Sequence, residues 1–335
     1  MKWWKGLSDA QRRWITRGAQ LVLAVVIIVY VVITLYNGFN SKNLQNLRFD
    51  WRWLLASWVA LAGYYALYTL GLDIIMRDLG SPSTYPKAFK LNFASNLGKY
   101  IPGGFWPAVG RAALAPAMSL SRSHAAVSMV LEAGFSTAAG VAVFAVSLAF
   151  GGVLPPNTYW WEYALVIVVI VVCLHPAVFS RALGVAFKLA KVKQEPPRLS
   201  YAKSLVLFVV YFASWLVAGL GMQLFAMAVQ SGVPFNPLVF AGAYGAASVV
   251  GLLVLFAPGG LGAREVTLSL LITPLVGPGT SAIIAFAARL WSTLLELGLS
   301  AIAVAMPSPG GTADSPSDGG DEGPESDAEG PAASE

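Results

Sequence analysis

Long uncharged apolar runs alternate with short clusters of basic residues along this chain. The clearest run, residues 204–263, contains no charged side chain over sixty positions. Because one helical crossing of a bilayer needs about 20 apolar residues, this run predicts two spans joined by a turn at 231–237. Further apolar runs cover residues 19–36, 53–72, 125–154, 163–179 and 281–306. The pattern predicts an all-α polytopic membrane protein with about seven to eight transmembrane helices.

Two Pro-Gly-Gly loops, each followed by an arginine, interrupt the apolar runs. Pro102-Gly103-Gly104 precedes Arg111, and Pro258-Gly259-Gly260 precedes Arg264. A helix break at membrane depth is tolerated only where its free backbone groups are buried or line a cavity. A matched pair of breaks therefore indicates a binding site. We predict two re-entrant helical hairpins in two pseudo-repeated halves, and a short half-helix at 266–272 that ends at Thr273-Pro274.

The basic residues predict how the chain is oriented. Cytoplasmic loops of membrane proteins are enriched in Lys and Arg. Residues 1–17 contain five basic residues and three tryptophans, which is typical of a cytoplasmic anchor, and residues 181–203 form a second basic cluster. The turn at 151–157 has neither Lys nor Arg and is expected outside. This topology puts the N-terminus and both Pro-Gly-Gly loops on the cytoplasmic side of the cytoplasmic membrane.

Composition divides the chain into three parts and excludes several function classes. The chain is 56% hydrophobic and 12% charged, against about 25% charged residues in soluble domains. We predict a basic N-terminus (1–17), a transmembrane domain (18–306) and a disordered acidic tail (307–335), which has eight acidic residues and no basic one. The sequence contains no stripe of basic residues interleaved with exposed aromatics, so a nucleic-acid-binding surface is not expected.

Known catalytic and metal-binding motifs are absent from the sequence. One cysteine, Cys173, and two histidines, His124 and His175, cannot supply the usual metal-ligand spacing. There is no phosphate-loop Gly-x-x-x-x-Gly-Lys and no Gly-x-Ser-x-Gly. We therefore expect no catalytic residue, no metal and no cofactor.

Charged residues within the apolar runs are the candidate binding groups. Between residue 203 and the tail only four residues are charged, namely Arg264, Glu265, Arg289 and Glu296. Since a charge at the bilayer centre costs at least about 2.5–3.5 kcal/mol, we expect them to share a polar cavity. Arg289 and Glu296 lie two helical turns apart on one face. Alternatively, Arg264 lies at the interface, and Arg289 forms a structural ion pair with Glu265 or Glu296.

Lys99, Arg111 and Glu132 are the corresponding set in the first half. Lys99 precedes the first break and Arg111 follows it, so the two are expected to face one headgroup from opposite arms of a hairpin. Glu132 is a candidate partner or proton carrier, with a structural role as the alternative. Glycine lets the backbone approach a ligand, and helix N-termini and Arg both suit phosphate oxygens. The predicted headgroup-binding residues are Lys99, Gly103, Gly104, Arg111, Gly259, Gly260, Arg264 and Arg289, supported by the acids Glu132, Glu265 and Glu296.

Two motifs carry a family resemblance. They are Asn96-Leu97-Gly98-Lys99-Tyr100-Ile101-Pro102-Gly103 with Gly110-Arg111, and Pro258-Gly259-Gly260-Leu261-Gly262-Ala263-Arg264-Glu265. Here the sequence resembles, over residues 15–306, a flippase-like transmembrane family found as the membrane half of lysyl-phosphatidylglycerol synthases and as stand-alone proteins. The resemblance implies an eight-helix-type domain with re-entrant segments that moves, or holds for movement, an anionic phospholipid or polyprenyl-linked lipid.

The chain also departs from the two-part synthases. Only the acidic tail follows Met306, so we expect the stand-alone form and no lipid lysinylation. Within the first motif, Phe105-Trp106-Pro107 adds a second proline where a continuous helix is expected.

Three hypotheses follow for the function. The leading one is a lipid translocase or lipid-binding transporter, not an enzyme, whose headgroup cavity lies between two rocking halves. The second is an integral-membrane transferase with Glu132 or Glu265 as base. The third is a scaffold for a separate lipid-modifying enzyme, docked through the tail or the basic loop 181–203. The expected partner is a lipid with an anionic headgroup, and a homo-oligomer or a partner lipid-modifying enzyme stays open.

Overall fold

The computed structural model describes residues 49–100, 106–152, 200–253 and 262–307, with seven single positions between 161 and 185. Within these ranges the chain forms eight α-helices and no strand. They are α1 (Trp51–Asp78), α2 (Tyr85–Asn96), α3 (Trp106–Leu114), α4 (Arg122–Phe150), α5 (Tyr201–Val229), α6 (Pro237–Leu253), α7 (Ala263–Val276) and α8 (Thr280–Ala305). Short 3₁₀ turns follow α2 at Leu97–Tyr100 and α3 at Ala115–Met118. The all-α prediction is confirmed for this part of the chain.

Four helices are long and apolar enough to cross a membrane. They are α1, α4, α5 and α8, with 28, 29, 29 and 26 residues. Helix α6 is also apolar but has only 17 residues. The structure therefore supports a helical membrane protein, while the count of seven to eight spans, the re-entrant hairpins and the pseudo-repeat stay predictions.

Polar residues just before the apolar runs start three of the long helices. The Asp50 side chain accepts a hydrogen bond from the Arg52 amide at 2.9 Å, and Ser121 and Ser200 cap α4 and α5 in the same way. Such caps satisfy amides that have no partner within the helix. The local sequence thus determines where these spans begin.

Pro274 and Pro107 both lie within helices where the sequence predicts a break or leaves the helix start open. Helix α7 continues through Pro274 to Val276, so the predicted end at Thr273-Pro274 is wrong. The Thr273 hydroxyl donates to the Ser269 carbonyl at 2.7 Å in the turn before the proline, and the helix ends at Gly277, whose φ is 84°. Pro107 lies in the first turn of α3, where a missing amide proton costs little.

Small residues allow the long helices to pack closely. Helix α1 packs along α5, α6 packs on α4 and α5, and α7 packs between α6 and α8. A Cβ atom at Gly219 of α5 would collide with Ala241 of α6, and one at Gly242 would collide with Ser147 of α4. The Trp291 indole of α8 donates to the Ser57 hydroxyl of α1 at 2.9 Å. These contacts bring helices from both halves of the chain around one space.

Several predicted features lie outside the described residues. They are the N-terminal anchor 1–17, the first helix 19–36, the span 163–179, the tail beyond residue 307 and both Pro-Gly-Gly loops, hence Gly103, Gly104, Gly259 and Gly260.

Candidate functional site

A polar cavity of about 230 Å³ lies among α1, α4, α5, α6, α7, α8 and the turn after α2. Of the described residues that line it, three are cations and one is a carboxylate. They are Lys99, Arg264, Arg289 and Glu296. The structure therefore brings together one charged residue from the first half of the chain and three from the second.

Aromatic and hydroxyl side chains form most of the remaining wall. Tyr64, Tyr65 and Tyr68 of α1 face the cavity, opposite Trp215 and Tyr244. The hydroxyl-bearing lining residues are Ser136, Thr137, Ser248, Ser292 and Thr293. Sequence reasoning missed these residues. The sequence did contain a signal for the tyrosines, because all three lie within five positions of an uncharged run. Tyr64 and Tyr68 are four residues apart and therefore lie on one helix face.

Lys99 and Glu296 form an ion pair at the cavity wall. Lys99 lies in the turn after α2, and Glu296 lies in α8, where it also accepts a hydrogen bond from the Tyr65 hydroxyl at 2.7 Å. The two side chains are 30% and 17% exposed. Glu296 thus holds the cation of the turn after α2 at the cavity wall.

Arg289 has a different acidic partner, Glu265 of α7. The guanidinium Nη1 and the carboxylate Oε1 are 3.7 Å apart, and Glu265 is 2% exposed. The other carboxylate oxygen accepts the Gly262 amide at 2.6 Å and so caps α7. Of the two partners that the sequence allowed for Arg289, the structure shows Glu265. The pair lies beside the cavity, where Arg264, Glu265 and Arg289 line a narrow cleft.

Arg264 is held by an aromatic ring instead of an acid. Its guanidinium carbon lies 4.6 Å from the centre of the Tyr244 ring, an arrangement that attracts a cation to the ring face. Within the described ranges, no carboxylate lies at ion-pair distance from Arg264. The guanidinium therefore remains available to an anion that enters the cavity.

Arg111 and Glu132 belong to a separate buried cluster. Arg111 is 0% exposed and makes a two-pronged contact with Glu132, with N–O distances of 3.1 and 3.3 Å. Its Nη2 also donates to the side-chain amide oxygen of Asn92, Oδ1, at 2.9 Å. Neither Arg111 nor Glu132 is among the described residues that line the cavity. The structure thus separates Arg111 from Lys99, which were expected to face one headgroup, because Arg111 ties α2, α3 and α4 together.

The described side chains bear on two kinds of site, a metal site and an oxyanion site. No group of three His, Cys, Asp or Glu side chains there could hold a metal ion. The donors that do face the cavity are hydroxyls, guanidinium groups and one ammonium, which suit an oxyanion.

Comparison with known proteins places the cavity in a family context. The sequence model of the family described as lysylphosphatidylglycerol synthase TM region matches residues 21–300. That range contains all of the described residues that line the cavity, and it ends within α8. No curated protein and no solved structure matches the chain.

Proposed function

The chain belongs to the lysylphosphatidylglycerol synthase transmembrane family, and on that premise we propose that it binds a lipid with an anionic headgroup and moves it across the cytoplasmic membrane. The lipid is an anionic phospholipid or a polyprenyl-linked lipid, and the protein acts as a translocase and not as an enzyme. Membership of the family supports a lipid-related membrane role. The cavity supports the more specific proposal that a lipid with an anionic headgroup is bound and transferred.

The observation that carries this proposal is the cationic lining. Among the described lining residues, three cations outnumber one carboxylate. The cations are Lys99, Arg264 and Arg289, and the carboxylate is Glu296. Buried charge without a counter-charge is costly, so a bundle of apolar helices gains by binding an anion there. Guanidinium groups match the oxygens of a phosphate in pairs.

The cavity also reaches the outer surface of the helices. Ala133 of α4 and Leu252 of α6 both line it and are exposed, Leu252 to 50%. A lipid can therefore place its headgroup beside Arg264 while its acyl chains stay among apolar side chains that face the bilayer. This arrangement supports a lipid over a water-soluble anion.

Helices from both halves of the chain build the site. Tyr65 and Lys99 come from the first half, and Arg264, Arg289 and Glu296 from the second. In a transporter whose two halves rock against each other, a site at their interface is exposed to each side in turn. We propose this motion as the mechanism of transfer.

Reconstitution in liposomes tests the proposal. The purified protein is incorporated into vesicles that contain a headgroup-labelled anionic phospholipid, and transfer is followed by loss of the label to an impermeant quencher. Arg264→Ala and Arg289→Ala should each slow transfer by about tenfold or more, which corresponds to about 1.4 kcal/mol. Arg122→Ala, at an exposed position at the start of α4, is the matched control and should transfer lipid as the unaltered protein does.

Three results would contradict the proposal. Transfer that is unchanged in both cavity variants would remove the site. Transfer that is absent unless a second protein is added would favour the scaffold hypothesis, and a new lipid product made by the purified protein from a donor would favour the transferase.

A further inference from the structure

The charges of the cavity are balanced almost completely within the protein. Lys99 pairs with Glu296, and Arg289 pairs with Glu265 at 3.7 Å. In the described part of the chain, Arg264 is the one lining cation without a carboxylate at ion-pair distance. Counted over the described residues, the cavity and its adjoining cleft thus carry a net charge of one positive unit, from three cations and two acids.

The sequence segments near Lys99 and Arg264 add no charge to this count. Residues 101–105 and residues 254–261 contain no ionisable side chain. The remaining polar lining consists of serine, threonine and tyrosine hydroxyls and the Trp215 indole, which are neutral. They therefore add nothing to the charge count.

We propose that this cavity selects a headgroup with a single negative charge, a phosphate diester, over a dianionic phosphate monoester or a pyrophosphate. This rests on the proposed function, since it names the substrate class of the same site. One negative charge neutralises the excess at Arg264. A second negative charge would stay uncompensated among buried groups, and a charge without a partner is costly in a low-dielectric site.

Arg264 supplies the geometry for such a group. Its fork of N–H donors can bind the two unesterified oxygens of a diester together. Contact with the Tyr244 ring, 4.6 Å away, orients the guanidinium plane. The ester oxygens lie against the neutral hydroxyl-bearing side chains of the wall, which add no charge.

Competitive binding tests the charge count. The purified protein is mixed at pH 8 with equal amounts of phosphatidylglycerol, a diester, and phosphatidic acid, a monoester, with identical acyl chains. At this pH the monoester is dianionic, since its second pKa is about 6. Native mass spectrometry then measures the ratio of retained lipids. We expect the diester to be favoured by about tenfold, equivalent to about 1.4 kcal/mol.

Two variants that remove an acid should reverse the preference. Glu265→Gln releases Arg289 and keeps an oxygen that accepts the Gly262 amide. Glu296→Gln releases Lys99 and keeps an acceptor for the Tyr65 hydroxyl. Each adds one positive charge with almost no change of shape, so each should shift the ratio toward phosphatidic acid by about tenfold. Asp78→Asn removes an acid that pairs with Lys203 away from the cavity, and it should leave the ratio unchanged.

The outcomes separate this proposal from the proposed function. Equal retention of both lipids, retention of neither, or a ratio unchanged in Glu265→Gln and Glu296→Gln overturns the charge selection. Selective binding without transfer in liposomes supports charge selection and refutes translocation. Transfer without charge selectivity supports translocation and refutes the charge count.

Discussion

The Lys99 ammonium and the Glu296 carboxylate, 197 residues apart in the chain, form an ion pair at the wall of one cavity. The pair joins the turn after α2 to the middle of α8, and the Tyr65 hydroxyl of α1 completes it. Three elements that are distant in sequence are therefore held together by charge at the place where an anion is expected to bind.

Breaking this ion pair should reveal energetic coupling between its two members. Lys99→Met leaves the Glu296 carboxylate with one fewer hydrogen-bond donor. The loss of stability caused by Lys99→Met should therefore be partly relieved when Glu296→Gln is added. We expect a coupling energy of about 1 kcal/mol, within the range for residues in contact. Unfolding by sodium dodecyl sulfate in mixed micelles, followed by circular dichroism, measures the cycle of variants. Strictly additive losses would show that the pair contributes no coupling.

Removal of Arg111 should destabilise the protein strongly. Arg111→Met leaves Glu132 as a buried charge without its partner, which costs about 3–5 kcal/mol in comparable buried pairs. The double variant Arg111→Met, Glu132→Gln removes both charges, and it should be more stable than Arg111→Met alone. The same micelle unfolding assay checks this, and a double variant less stable than the single one would contradict the buried-charge explanation.

Glycine 219 should not tolerate a side chain. In Gly219→Ala the new Cβ meets the backbone of Ala241, so α5 and α6 must separate. We expect a loss of about 1–3 kcal/mol, as for other overpacked sites. Gly298→Ala in α8 is the matched control, because no atom lies within 4 Å of a Cβ there. That change should be neutral or stabilising, and equal losses at both positions would contradict the packing explanation.

Glu265 should protect the start of α7. Glu265→Ala removes the acceptor of the Gly262 amide, and a hydrogen bond to a charged group contributes about 1.5–3 kcal/mol. Amide hydrogen exchange at Gly262 should therefore become faster by about tenfold or more. Glu265→Gln retains an acceptor and should keep most of the protection. Exchange that is equally slow in both variants would show that the cap is not needed.

Local features of the fold were predictable from the sequence, and long-range ones were not. The apolar runs 53–72 and 125–154 correspond to α1 and α4, since apolar length is read along the chain alone. Helix α1 nevertheless extends to Asp78, because Asp73 is buried and bonded to Arg77 and Ser83 within the fold. Helix α7 likewise continues past Pro274 to Val276, although a proline inside a helical pattern predicts an end there.

The candidate site was predictable only in part. The rarity of charges after residue 203 led to Arg264, Arg289 and Glu296, which do share a cavity. Arg111 has the same chemistry and follows the same kind of loop, yet it lies in a separate cluster with Asn92 and Glu132. Position relative to a helix break does not specify which neighbouring helix a side chain contacts.

The sequence by itself determined that this is a helical membrane protein with a few costly charges in apolar surroundings, because hydrophobic length and charge are properties of single segments. The tertiary structure decided how those charges pair. Glu296 lies two turns from Arg289 on the same helix, but it binds Lys99, and Arg289 binds Glu265. Helix packing sets these distances, and the packing is what places Arg264 on the Tyr244 ring with, among the described residues, no carboxylate at ion-pair distance.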